Sequence, residues 1–181
     1  MLPTFDGTER GATSIWWADM LGRKTGEAVW IGELMGARVH IVHQAVRPED
    51  LTQDLGVDGA IPWYACALGQ AIVAGLDDAA CAALLAVPAT RLTGMTITDP
   101  AELRQMLAVT RQRGYAVEAH AATLGDAGIA AAVYDSGRVV GAVGIVGPAE
   151  RLLLPEQQQG FAHAVCVTAR ALSDEASAAA T

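Results

Sequence analysis

The chain lacks any apolar run long enough to cross a bilayer. Glycine, proline or a charge breaks every hydrophobic stretch well before the roughly 20 residues a spanning helix needs. It also lacks a secretory signal, because Met1 to Arg10 carries Asp6, Glu9 and Arg10 in place of a basic start followed by an apolar core. A cytoplasmic protein without membrane contact is expected. Cysteine is scarce: Cys66, Cys81 and Cys166 are widely spaced, odd in number and form no Cys-x-x-Cys pair, which argues against a zinc or redox motif and leaves three reduced thiols. Basic residues are few, 12 against 20 acidic ones, and nowhere concentrated. The resulting formal charge of −8 repels phosphate backbones and excludes nucleic-acid binding by this segment alone. No repeat of fixed period is present. What is abundant is apolar content: 52% of the 181 residues are hydrophobic and 18% charged, enough to fold as one domain with a good core.

After a polar opening, Ser14 is placed to cap a short helix in which Ile15, Trp16, Met20 and Leu21 recur at helical spacing, ending near Thr25 and Gly26. Strand-like runs follow over 28–34 and 38–46, and Met35-Gly36-Ala37 between them is short enough for an antiparallel hairpin. A polar, acidic stretch over 47–59 precedes Ile61-Pro62-Trp63-Tyr64 and a helix of small residues over 65–75. A second helix over 77–86 begins with two acids suited to its positive end. The clearest start signal is Asp99-Pro100-Ala101-Glu102, with Asp99 as N-cap, Pro100 as first helical residue and Glu102 as capping-box partner. Leu103, Met106, Leu107 and Thr110 then share one face, and Gly114 is placed for a left-handed C-terminal turn. Strands are predicted over 115–121, 127–134 and 139–146, with Asp135-Ser136-Gly137 as a turn. Pro155 opens a final helix to about Ser173, and the alanine-rich tail from Ala176 is expected to fray. This order fits an α/β (α+β) domain with helices packed on an antiparallel sheet.

Four segments, in order, resemble one family. Ile61-Pro62-Trp63-Tyr64-Ala65-Cys66-Ala67-Leu68-Gly69-Gln70-Ala71 resembles the "LP-x-x-(S/T)-ALGKA" loop and helix start of isocitrate lyase regulator (IclR)-type transcription factors. "TITDPAEL" with "RQRGYAVE" resembles the next signature, and "DSGRVVGAVGIVGPAERL" is similar to the closing hairpin and the Gly-Pro turn behind it. The likeness runs from about Ile15 to Ser173. It implies a GAF-like effector-binding domain over 14–174, a sensor without catalysis or cofactor, whose central antiparallel sheet carries a small-molecule pocket on one face. Residues 1–13 then read as a linker or cloning remnant, and 175–181 as a flexible tail. Such regulators carry a winged helix-turn-helix ahead of this domain, touch DNA only through it, and act as homodimers or tetramers. The chain reads as an excised fragment or, alternatively, as a stand-alone GAF-like binding module.

The resemblance further implies that backbone amides of Ala67, Leu68 and Gly69 hold the effector's carboxylate. Unpaired N–H groups and the helix dipole favour an anion at a helix start. Ile61, Trp63 and Cys66 belong to the same motif, and Trp63 with Tyr64 is expected as an aromatic wall. The family's acid on the strand after "GYAV" corresponds to Glu118, with His120 two residues on, while its Cys and Ser-x-Ser correspond to Gly128, Gly144 and Val146. Loss of those polar side chains implies a roomier, less polar pocket, suited to a carboxylate with an apolar or aromatic body rather than to a very small keto or hydroxy acid.

Simple alternation puts Glu118 and His120 on one side of their strand and reads that side as solvent-facing. The resemblance turns Glu118 toward the ligand instead, and that reading is adopted. His40 and His43, an odd number of residues apart, are expected on opposite faces, against a shared metal. Glu118 with His120 offers two ligands where zinc takes three or four, so no metal is expected. Gly137, Gly141, Gly144 and Gly147 lie in and beside a strand, which suits close packing rather than a phosphate loop. Trp16, Trp17 and Trp30 read as core or dimer-facing residues. The alternative of another class is an enzyme in which Cys66, its pKa lowered at a helix N-terminus, attacks with His120 as base.

Overall fold

A computed structural model describes residues 9–45 and 60–178. The acidic stretch 47–59, most of the opening segment and the last three residues of the tail lie outside the described residues. In chain order the elements are α1 (Glu9–Thr25), β1 (Ala28–Met35), β2 (Arg38–Ala45), β3 (Ala60–Pro62), a 3-10 turn (Trp63–Ala65), α2 (Ala67–Gly75), α3 (Asp78–Leu85), α4 (Pro100–Arg113), β4 (Ala116–Ala119), β5 (Asp126–Asp135), β6 (Arg138–Pro148), α5 (Ala149–Leu152) and α6 (Pro155–Ala178). The strands form one six-stranded sheet in the order β3-β2-β1-β6-β5-β4, each neighbour antiparallel. This is the expected α/β (α+β) architecture, a central antiparallel sheet flanked by helices, of GAF-like type.

Local chemistry explains the element ends. Asp99 accepts from the amides of Ala101 (2.9 Å) and Glu102 (3.0 Å), Pro100 follows, and Gly114 closes α4 at φ 83°. The β5–β6 hairpin turns through Ser136 (φ 49°) and Gly137 (φ 79°), two successive left-handed residues that match the strands' twist.

Both faces of the sheet are covered. On one, Trp30, Leu34, Val39, Ala130 and Ala142 pack with α2 and with Leu103 and Leu107 of α4. On the other, Val29, Ile31, Ile129, Val133, Val143 and Ile145 pack with Ala18 and Leu21 of α1 and Val165, Ala169 and Leu172 of α6. Glu27, 4% exposed, is held by Arg151 of α5 through paired bonds of 2.6 and 2.7 Å.

Several sequence expectations need correction. Ser14 does not cap α1, which begins at Glu9; it is a buried residue within the helix. The C-terminal helix runs past Ser173 to Ala178, because Glu175 accepts from Trp17 (3.0 Å) and Ser177 accepts from the Ser136 amide (3.1 Å). The short elements β3 and α5 carry too little periodicity to be seen in the sequence. His40 and His43 do not face opposite ways. The β1–β2 register shifts between Ile31 and Gly32, so that His40 pairs with Glu33 and His43 with Ile31, which share a face. The bulge resets the alternation on which the expectation rested.

Candidate functional site

The site forms where the start of α2 meets the sheet. The 3-10 turn delivers the chain to Cys66, whose extended backbone makes it the N-cap of α2. Its Sγ accepts the Gly69 amide at 3.4 Å, and the Gln70 amide bonds the Cys66 carbonyl at 3.1 Å. Gly69 has to be glycine, because a Cβ there would lie against the Trp63 backbone. With Gly69 engaged by sulfur and Gln70 in the helix ladder, the first-turn amides left for an anion are those of Ala67 and Leu68.

Beneath this helix start is a cavity of about 550 Å³, in the range of small-molecule sites. Its floor comes from four strands. Glu118 pairs with Gly128 and Gly128 with Val146, while Ala130 pairs with Gly144 and Gly144 with Trp30. Antiparallel partners share a face, so these residues converge although β1 and β5 are distant in sequence. Ile61, Pro62 and Arg38 bound one side, and Leu92, Ala122, Thr123 and Asp126 the other.

Glu118 is the polar feature of the β4 side, near the start of α2, since its register partner Gly128 lies under Ala67. Burial pushes its carboxyl up to about 7; the Ala121 amide opposes this by donating to Oε1 at 2.6 Å, and Asp126 nearby adds to it. The turn it holds is braced from outside, since Thr93 Oγ1 donates to the His120 carbonyl (2.6 Å) and Thr96 Oγ1 to that of Ala121 (2.7 Å).

Of the residues named from the sequence, Ile61, Cys66, Ala67, Leu68, Glu118, Gly128, Gly144 and Val146 line this cavity. Trp63, Gly69 and His120 do not. Trp63 is 2% exposed and packs edge-on against Tyr64 within the core, so the expected aromatic wall is absent there. His120 follows the end of β4, at φ 63°, where alternation no longer applies, and its Nδ1 accepts the Gly125 amide at 3.0 Å. The sequence reading missed Trp30, Arg38 and Asp126. Trp30, read as core or dimer-facing, is the aromatic wall, and only its register opposite Gly144 reveals this. The surroundings of the thiol do not favour the nucleophile alternative. Burial pushes Cys66 up to about 12, the Gly69 amide lowers it only in part, and Glu118 raises it further. Among the described residues no group of three or more His, Cys, Asp or Glu is arranged to hold a metal.

Comparison with known proteins agrees with this architecture. Residues 12–174 match the family described as "Bacterial transcriptional regulator IclR C-terminal". The chain is 38% identical to the glycerol operon regulatory protein of Streptomyces griseus over 148 residues, 81% of this chain and 58% of that protein. It therefore spans little more than half the length of this relative. In structure it is similar to the IclR of Thermotoga maritima (TM-score 0.86, 21% identity, 92% of this chain and 68% of that one). It is also similar to an IclR homologue of Microbacterium hydrocarbonoxydans complexed with 4-hydroxybenzoate (TM-score 0.81, 20% identity, 92% and 68%). The matched relatives are transcriptional regulators rather than enzymes, and the chain belongs to the IclR family as its C-terminal regulatory domain.

Proposed function

We propose that this domain is a cytoplasmic sensor whose cavity binds a carboxylate with an apolar or aromatic body, and that the bound effector alters operator binding by a helix-turn-helix domain N-terminal to it. The observation that carries the reading is the cavity beneath α2, lined by Ala67 and Leu68 of the first helical turn and by Glu118 of β4. The amides suit an anion. Trp30, Leu68, Ile61 and Val146 supply apolar area, worth roughly 25 cal/mol per Å² removed from water. Glu118 suits a hydroxyl or amine donor on the effector. A small hydroxy acid would lose hydrogen bonds to water without full replacement, at about 1–3 kcal/mol for each unsatisfied group. The homologue bound to 4-hydroxybenzoate has a ligand of the favoured chemistry. In this reading 14–174 is the sensing unit, the protein acts as a homodimer or tetramer, and the acidic domain contacts DNA only through its attached partner domain.

Calorimetry tests it directly: 4-hydroxybenzoate should bind the domain and raise its melting temperature, and glyoxylate and pyruvate should bind at least tenfold more weakly. Tight glyoxylate binding with no response to the aromatic acid would overturn the effector class.

A further inference from the structure

The polar and apolar parts of the cavity lining are separated. Glu118 of β4 pairs with Gly128 of β5, and a Cβ at Gly128 would lie 3.2 Å from the Ala67 Cβ. Register partners lie about 4.5–5.5 Å apart, so Glu118 and the first turn of α2 stand roughly one strand spacing from each other. The electrostatics agree, because Glu118 acts on the thiol of Cys66, the N-cap of α2. Asp126, which acts on Glu118, lines the same end. In the other direction the floor runs from β5 through Gly144 of β6 to Trp30 of β1, two strand spacings or about 10 Å. Trp30 is 8% exposed and Ile61 beyond it 9%, and Gly144 and Val146 on the way offer no polar side chain. The charged residue on that side is Arg38, which is exposed and donates from Nη2 to the Ala60 carbonyl at 2.6 Å. A void of about 150 Å³ holds benzene. The cavity, about 550 Å³, admits a body well beyond one ring.

We infer that the effector is an amphiphile: its acid and a hydrogen-bond donor lie within a carbon or two of each other beneath the start of α2, and an apolar tail crosses the floor toward Trp30. This rests on the effector reading above and narrows it, by fixing which end of the molecule carries the polar groups. With the acid at the first turn of α2, a hydroxyl or amine close to that acid reaches Glu118. A hydroxyl at the opposite end of the body meets Trp30 and Ile61, where its hydrogen bonds to water are lost without replacement. Tail methylenes laid on the apolar floor gain affinity, up to about fourfold each.

Isomers test the arrangement in the unaltered domain alone. Calorimetry compares octanoate, 2-hydroxyoctanoate, whose hydroxyl adjoins the acid, and 8-hydroxyoctanoate, whose hydroxyl ends the chain, with 4-hydroxybenzoate as the reference for the effector reading. 2-Hydroxyoctanoate should bind at least tenfold tighter than 8-hydroxyoctanoate. It should also bind at least tenfold tighter than 2-hydroxybutanoate, which has the same head and lacks most of the tail. In Glu118→Ala, with a melting curve to show that the variant folds, the advantage of 2-hydroxyoctanoate over octanoate should vanish, while octanoate binds no more weakly than before. An 8-hydroxy acid equal to its isomer, a 2-hydroxybutanoate equal to the longer acid, or a hydroxyl advantage that survives Glu118→Ala overturns the amphiphile, and binding of 4-hydroxybenzoate then leaves the effector pocket standing. Failure of 4-hydroxybenzoate and of all the alkyl acids to bind the unaltered domain overturns both.

Discussion

Strands β5 and β6 present two different surfaces from one pair of backbones. Toward α2 they offer Gly128, Ala130, Ala132, Ala142 and Gly144; toward α1 and α6 they offer Ile129, Val133, Val143 and Ile145, with Ala127 and Ala131. On the second face bulky side chains meet helices directly and the space is filled. On the first the side chains are small, and a cavity remains between sheet and helix. The glycines do not create that cavity simply by lacking a side chain. A Cβ at Gly144 would lie 2.6 Å from the Ile129 carbonyl oxygen and 2.7 Å from the Ala130 Cβ, and one at Gly128 would lie 3.2 Å from the Ala67 Cβ. Gly144 lets β6 approach β5, and Gly128 lets the start of α2 come down to the sheet. The difference teaches that stability resides on the filled face, while the glycines of the other face position the groups around an opening.

The contrast is broken most severely from the filled side. Ile145→Ala removes a fully buried side chain between sheet and helices, and about 2–5 kcal/mol of unfolding free energy should be lost in a denaturant titration. Gly144→Ala should lose about 1–3 kcal/mol by overpacking, because the added methyl meets backbone that has to move. If Gly144→Ala were neutral, the strands would be free to separate, and Gly144 would be an open part of the cavity. For that reason a large residue at Gly144 is a poor way to fill the pocket: it would disturb the sheet before reaching the ligand space.

Much of this was legible in the sequence where the signal is local. The Asp99-Pro100 start, the Gly114 stop and the hairpin turn at Ser136-Gly137 are each set by residues within a few positions, and the structure reproduces them. What was illegible depends on long-range register. Trp30 faces the cavity because β1 pairs with β6, more than a hundred residues later in the chain, and Arg38 because β2 carries the edge strand β3. Alternation failed at the β2 bulge and at His120 because each lies where the strand is interrupted. It also misread Glu118. A polar side chain in an alternating strand looks solvent-facing, yet both faces of this sheet are covered, so the polar side of β4 looks into a cavity. The resemblance carried information there that periodicity did not.

Glu118 sharpens the contrast through pH. Its folded-state pKa, about 7, is raised above the ordinary 4.5, chiefly by burial, so the fold prefers the protonated acid. The stability from that preference is fully present below about pH 4.5 and is lost as pH rises through about 7. Glu118→Gln keeps an oxygen able to accept from the Ala121 amide and carries no charge. It should therefore melt like the unaltered domain at pH 4 but a few degrees higher at pH 8, a gain on the order of 2 kcal/mol. No pH dependence in that difference would mean that the carboxyl is better hydrated than its position suggests.

The smallest effect on stability is expected from filling the opening itself. Val146 stands in register with Gly128 and Ala28 and lines the cavity, so Val146→Phe directs its added volume into open space rather than into backbone. The ring should gain apolar burial at roughly 25 cal/mol per Å² and lose some rotamer freedom, leaving stability within about 1 kcal/mol of the unaltered domain. The same ring would occupy space needed by an aromatic effector, so 4-hydroxybenzoate affinity should fall at least tenfold while the melting temperature stays within about 4 °C. A loss of stability as large as that of Gly144→Ala would show this part of the first face to be packed like the second. Unchanged affinity in a stable Val146→Phe domain would move the ligand away from the cavity floor.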